Sequence, residues 1–223
     1  MSRFSIHRVN LEMLARRKFL LVLLPVYFLI AAGVYGSCSP ARAQETEQQA
    51  KTFIDGLAGD AINALTAPGS TEDERSQRFR QLLNDNFAVK TIAQWVLGRN
   101  WKKATKTEQV EYMNLFEDLL VVTYVSRFSS YSGEKLKITK TAPTGKSDVT
   151  VFSSIVRDDS KTPLHVDWRV RVHKNSLKIV DVIVEGVSMG QTQRSEFASV
   201  IRQNGGKVEG LLIELRKRVS KSA

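Results

Sequence analysis

The chain has 223 residues, 42% of them hydrophobic and 25% charged, a balance that excludes wholesale disorder and allows one globular domain with its own core. The formal net charge is +10, yet six of the 33 basic residues and one of the 23 acidic ones lie in the first 43 positions, which leaves 27 against 22 beyond them. No basic stripe with interleaved aromatics remains there, so nucleic acid is not an expected partner.

Arg16-Arg17-Lys18 precede an apolar run from Phe19 to Tyr35, and Ala41-Arg42-Ala43 follows as an A-x-A cleavage site. That order predicts a cleaved export signal over residues 1–43 and a single domain over 44–223. An uncleaved anchor is the structural alternative, but the run is 17 residues long and contains Pro25, whereas a spanning helix needs about 20 apolar residues. Arg16-Arg17-Lys18-Phe19-Leu20 also resembles the twin-arginine signal, so the export route stays open. Cys38 is the only cysteine, so the domain beyond the signal has no disulfide or thiolate metal site and depends on its core.

From Gln44 to Leu65 the apolar residues fall at helical spacing, and Pro68-Gly69 ends the pattern. Ser70 followed by Glu72-Asp73-Glu74 predicts the N-terminus of a second helix, running to about Asn84. Val89 to Leu97 reads as a short helix stopped by Gly98. Thr105-x-x-Glu108 is a capping box that opens a long helix to about Ser129. Its apolar residues cover much of the circumference, so it needs partners on more than one side.

After Tyr131-Ser132-Gly133 the period changes to two. Leu136 and Ile138 begin one strand, Val149 to Val156 form a second, Leu164 to His173 a third and Leu177 to Glu185 a fourth. In the third, Leu164, Val166, Trp168, Val170 and Val172 alternate with polar residues, so one face is apolar and the other wet. Short turns join the four into an antiparallel meander. Helices over about Thr192–Gln203 and Val208–Val219, separated by Gly205-Gly206, close the chain. The fold class is α+β, with the helices packed on the apolar face of one curved four-stranded sheet.

Gly186-Val187-Ser188-Met189-Gly190 matches the G-x-S-x-G elbow of serine hydrolases, between a strand and a helix. In that fold the histidine follows the serine, and no histidine follows Ser188. His165 and His173 lie on one strand some 26 Å apart at about 3.3 Å per residue, too far to share a metal or a proton relay. Asp158-Asp159 and Glu72-Asp73-Glu74 sit in a turn and a first helical turn, routine places for acids. No zinc spacing, EF-hand loop or phosphate-binding loop occurs. A catalytic role for Ser188 is the minor reading; no catalytic residue, metal or cofactor is expected.

Apolar bulk is what the chain has in excess. Trp95, Trp101, Tyr112, Phe116, Tyr124, Phe128, Tyr131, Phe152 and Trp168 can wall a cavity, and ligand sites are mostly apolar.

Asp85-Asn86-Phe87-Ala88-Val89-Lys90-Thr91-Ile92-Ala93, Val96-Leu97-Gly98-Arg99-Asn100-Trp101 and the Phe116…Leu119-Leu120…Thr123-Tyr124 helix resemble the MlaC family. Val182-Ile183-Val184-Glu185-Gly186-Val187-Ser188-Met189, Gln193-Arg194-Ser195-Glu196-Phe197 and Gly205-Gly206 continue the likeness. The resemblance implies a periplasmic phospholipid carrier, an ABC-transporter auxiliary component that is not an enzyme. It also implies an NTF2-like layer fold with an apolar pocket between helices and sheet. Implied partners are phospholipid, an inner-membrane ABC transporter with its substrate-binding subunit, and an outer-membrane lipoprotein complex. Hopanoid-associated transport proteins are similar too, so a hopanoid is the alternative cargo. Periodicity places Trp95, Trp101, Tyr112, Phe116, Leu120 and Tyr124 on the helices as pocket residues, with Val151, Val166, Trp168, Val170 and Val184 on the sheet.

Overall fold

Thr71 and Thr105 each start a helix by the same reciprocal device. The Thr71 hydroxyl accepts from Glu74 N at 3.2 Å while the Glu74 carboxylate accepts from Thr71 N at 3.0 Å. The corresponding distances for Thr105 and Glu108 are 3.2 and 2.7 Å, and each box satisfies two of the donors that a helix start leaves open. The second helix is thus capped one residue later than Ser70, whose carbonyl and hydroxyl instead accept from Arg75 and Arg78.

The computed structural model describes residues 40–128, 131, 133–157, 162–173 and 176–222, apart from the side chains of 40–43, 127, 128 and 222. Most of the expected export signal, Cys38, the Asp158-Asp159 pair and the side chain of Phe128 therefore lie outside the described residues. All that is described belongs to one compact unit, Pro40–Ala223.

The helices are α1 (Pro40–Leu65), α2 (Glu72–Asn86), α3 (Val89–Leu97) and α4 (Lys106–Phe128), with a 3-10 turn (Gly98–Lys102) between the last two. Strands β1 (Lys135–Thr144), β2 (Asp148–Val156), β3 (Leu164–His173), β4 (Ser176–Val184) and β5 (Val187–Ser188) follow, then α5 (Met189–Gln203) and α6 (Val208–Ser222). The sheet is antiparallel in the order β1-β2-β3-β4-β5.

The sheet has five strands, which corrects the expected four. Val187 and Ser188 turn back on Val184 and Ile183 through Glu185 and Gly186, both at positive φ, 49° and 79°. Two residues with φ > 0 make the turn whose twist suits a tight hairpin. A two-residue strand carries no alternation, which is why periodicity passes over it. β1 also outruns the alternating pair Leu136 and Ile138: Thr139 is an extra residue opposite Ser153 and Phe152, and such a bulge shifts which side chains face inward.

The described apolar residues gather in two cores. Helices α2 to α6 enclose the first, with Tyr112, Phe116, Phe197, Leu211, Leu212 and Leu215 at or below 2% exposure. The second lies between α1 and the sheet, where Ala50, Ile54 and Leu57 meet Val149, Val151, Val170 and Ile179. The amphipathic face of α1 thus covers one half of the inner face of the sheet. The main neighbours of α4 are α6, α2 and α3, and no strand is among them. Arg80 of α2 bridges Glu117 and Asp118 of α4 at 2.9 and 2.7 Å.

Candidate functional site

Strand pairing fixes which side chains share the inner face, since directly opposed residues point the same way. Val151 opposes Trp168, which opposes Val182. One step towards the end of the sheet, Ser153 opposes Val166, which opposes Val184, which opposes Val187. Leu164, two residues before Val166, lies on that face as well.

Exposure rises along this row. Val151 and Val170, in the core under α1, are fully buried, and Val166 is 5% exposed. Trp168 and Val184 are half-buried, while Leu164 and Val187 are 43% and 53% exposed. The apolar face therefore continues past what α1 covers. Its polar groups are satisfied locally: Trp168 Nε1 donates to Ser153 Oγ at 3.1 Å, and Ser153 in turn donates to the carbonyl of Val166.

The helical residues expected beside this face divide. Trp101, Tyr112 and Phe116 pack with Phe197 in the helical core. The Tyr112 centroid lies 5.8 Å from Phe116, 6.2 Å from Phe197 and 6.3 Å from Trp101. The Tyr112 hydroxyl donates to the Ala93 carbonyl at 3.0 Å, and burial pushes its pKa up, so it remains a neutral donor. Leu120 is half-buried against the same core. Tyr124 is half-buried and stands 6.3 Å from Phe79 of α2. Trp95, by contrast, is 45% exposed. Two of the clefts among the described residues lie away from this face. One of about 430 Å³ is lined by Asp60, Asn63, Arg78, Gln81 and Asp85 with Ala64 and Leu82, the other of about 480 Å³ by the first turns of α4, and neither contains an expected pocket residue.

Ser188 caps α5. Its hydroxyl accepts from Gln191 N at 3.0 Å and donates to Asp181 Oδ2 at 2.7 Å, and this cap starts α5 at Met189, three residues before Thr192. Asp181 is 9% exposed; its other oxygen accepts from Val182 N and Gly190 N at 3.0 and 3.2 Å, and Arg169 Nη2 lies 3.6 Å away. His165 pairs with Glu185 at the edge of the sheet. It lies two strand spacings and two residues along from Ser188, more than about 10 Å, so its imidazole cannot take the serine proton, and the carboxylate that does touch Ser188, Asp181, is tied up in holding the cap. Alternation alone gave no sign of this buried carboxylate, because an extra residue, Val180, precedes Asp181 on β4. Ser188→Ala is expected to lower stability by about 1 kcal/mol through loss of the cap. Thermal melting checks it, and esterase assays of both proteins should find no turnover.

Among the described residues no group of three or more His, Cys, Asp or Glu is placed to hold a metal, and no helix is long and apolar enough to cross a membrane. Helices gathered around an antiparallel meander whose apolar inner face runs past α1 define an α+β domain. Within that class the chain belongs to the MlaC family, whose profile, described as MlaC protein, matches residues 56–217. The Intermembrane phospholipid transport system binding protein MlaC of Haemophilus influenzae is 20% identical over 128 residues, 56% of this chain and 59% of that protein. The match thus spans about three fifths of the relative's length. A phospholipid-binding protein from Ralstonia solanacearum, solved in complex with a phospholipid, shares the fold with a TM-score of 0.67. It is 24% identical, and the superposition covers 78% of this chain and 98% of that one.

Proposed function

We propose that the protein is a periplasmic carrier that encloses the acyl chains of a phospholipid and moves it between the outer membrane and an inner-membrane ABC transporter. The observation that carries this reading is the apolar inner face of the sheet beyond α1, from buried Val166 through Val184 to exposed Leu164 and Val187. A contiguous apolar face of this kind is a place for an apolar ligand. Family membership and the functions of the two relatives support it. In this reading the pocket is an NTF2-like space between this face and the helices, with Val166, Trp168 and Val184 on the sheet side, whereas the expected Val151 and Val170 are core residues under α1. On the helical side the half-buried Leu120 and Tyr124 are the remaining candidates, because Tyr112 and Phe116 are buried in the helical core, Trp101 packs against it and Trp95 is exposed. Docking partners are the transporter's substrate-binding subunit and an outer-membrane lipoprotein complex.

The energetics suit carriage. Two acyl chains hold about 30 methylenes at about 0.8 kcal/mol each, so free passage through water costs on the order of 20 kcal/mol. A pocket offering similar burial removes most of that barrier, provided it does not bind much more strongly than the membrane does.

Protein purified from cells is expected to show, by native mass spectrometry, an added mass that extracts as phospholipid. Preparations that contain no lipid and take none up from vesicles overturn the reading, and a hopanoid mass corrects the cargo. Val184→Glu, at a half-buried position on the same face, is expected to lower lipid retention about tenfold, the equivalent of about 1.4 kcal/mol.

A further inference from the structure

Between Asp85 and Glu108 the chain has no acidic residue, yet that stretch contains Lys90, Arg99, Lys102, Lys103 and Lys106. It builds α3, the 3-10 turn and the start of α4. Lys90, Arg99, Lys102 and Lys103 are exposed, and none is ion-paired with a described residue.

Trp95 stands in the same stretch, and its exposure is built in. The Arg194 guanidinium of α5 lies 5.0 Å over its ring and donates to its carbonyl at 2.9 Å. Two glycines make room for this. A Cβ at Gly98, where φ is +59°, would come within 3.0 Å of Arg194 Nη2; one at Gly190 would come within 3.1 Å of Trp95 Cζ3. The carboxylate beside Gly190, Asp181, is buried and already engaged by Ser188 and Arg169. Arg194 thus sets a further cation beside Trp95, and no acid separates it from Gly186 in the chain.

We propose that this surface of α3, the 3-10 turn and α5 docks on an anionic lipid bilayer, with Trp95 at the headgroup level and the cations against the lipid charge. Tryptophan settles at the membrane–water interface, and lysines near an anionic leaflet each add to the attraction. Lysine is depleted from protein–protein interfaces. Every exposed cation of the stretch other than Arg99 is a lysine, which favours a bilayer over an acidic protein. The inference does not depend on lipid carriage, although carriage gives such docking a use.

The test uses protein recovered from the soluble fraction of cells that express the full chain. It is co-sedimented with vesicles of phosphatidylcholine alone, or of phosphatidylcholine and phosphatidylglycerol in equal parts, over a range of salt. Binding is expected to the anionic vesicles only and to disappear at high salt. Arg99→Gln, Lys102→Gln and Lys103→Gln combined should weaken it about a hundredfold, at about fivefold for each cation. Lys135→Gln, Lys137→Gln and Lys140→Gln on β1 remove the same net charge and should change it by less than about threefold. Equal losses from the two triple variants overturn the proposal. So does indifference to both kinds of vesicle, which would leave an acidic protein as the occupant. Native mass spectra of the first triple variant keep the two readings apart: unchanged lipid with lost docking separates docking from carriage.

Discussion

Phe116→Ala is expected to cost about 3–5 kcal/mol of stability and to lower the melting temperature by roughly 10 °C, at about 2–4 °C per kcal/mol for a domain of this size. Phe116 is 2% exposed, 5.8 Å from the Tyr112 ring and 6.3 Å edge-to-face from Phe197. Truncation removes the transfer energy of the ring and leaves a cavity that helices on several sides cannot close. Because α2 to α6 close this cluster among themselves, the loss should be the same in lipid-loaded and lipid-stripped protein. Calorimetry of both forms checks it. If Phe116→Ala melted within about 2 °C of the parent while its lipid content collapsed, Phe116 would move from the core to the pocket wall.

That test addresses the limit of what the residues alone make legible. The order of the helices, the Thr105-x-x-Glu108 start of α4, and the wet and apolar faces of β3 all follow from local chemistry, and they stand in the structure with shifts of a few residues, whereas α2 is capped by Thr71 in place of the expected Ser70. Membership of the α+β class follows from the same signals. Local chemistry does not separate core from cavity wall, because both need the same side chains. α4 illustrates this: Tyr112 and Phe116 face α5 and α6, whereas Tyr124, two turns later, faces α2. Trp95 is a different kind of difficulty. Its apolar surface suggests burial, but Arg194, 99 positions away, holds it at the surface. Glu185 is a third, since nothing about a glutamate announces a left-handed backbone; only pairing of Val187 with Val184 requires it.

The second large effect runs against helix propensity. Gly210 lies in the first turn of α6, where alanine would ordinarily add up to about 1 kcal/mol. Here a Cβ would fall 2.3 Å from the Cβ of Asn204 and 2.5 Å from its Cγ, and those atoms are not the free end of a flexible chain. Asn204 closes α5: its N–H donates to the carbonyls of Val200 and Ile201, and its side-chain amide donates to Val200 O at 2.9 Å. Gly205 and Gly206, at φ +67° and +78°, then turn the chain tightly enough to bring α6 back onto that cap. An added methyl must push α6 off α5 or break the cap, and overpacking of this kind costs typically about 1–3 kcal/mol. Gly210→Ala is therefore expected to lose about 2 kcal/mol net, whereas Gly210→Ala combined with Asn204→Gly should recover most of it. A double-mutant cycle by chemical denaturation measures that coupling, and additive losses would show that the α5–α6 corner does not close on Gly210.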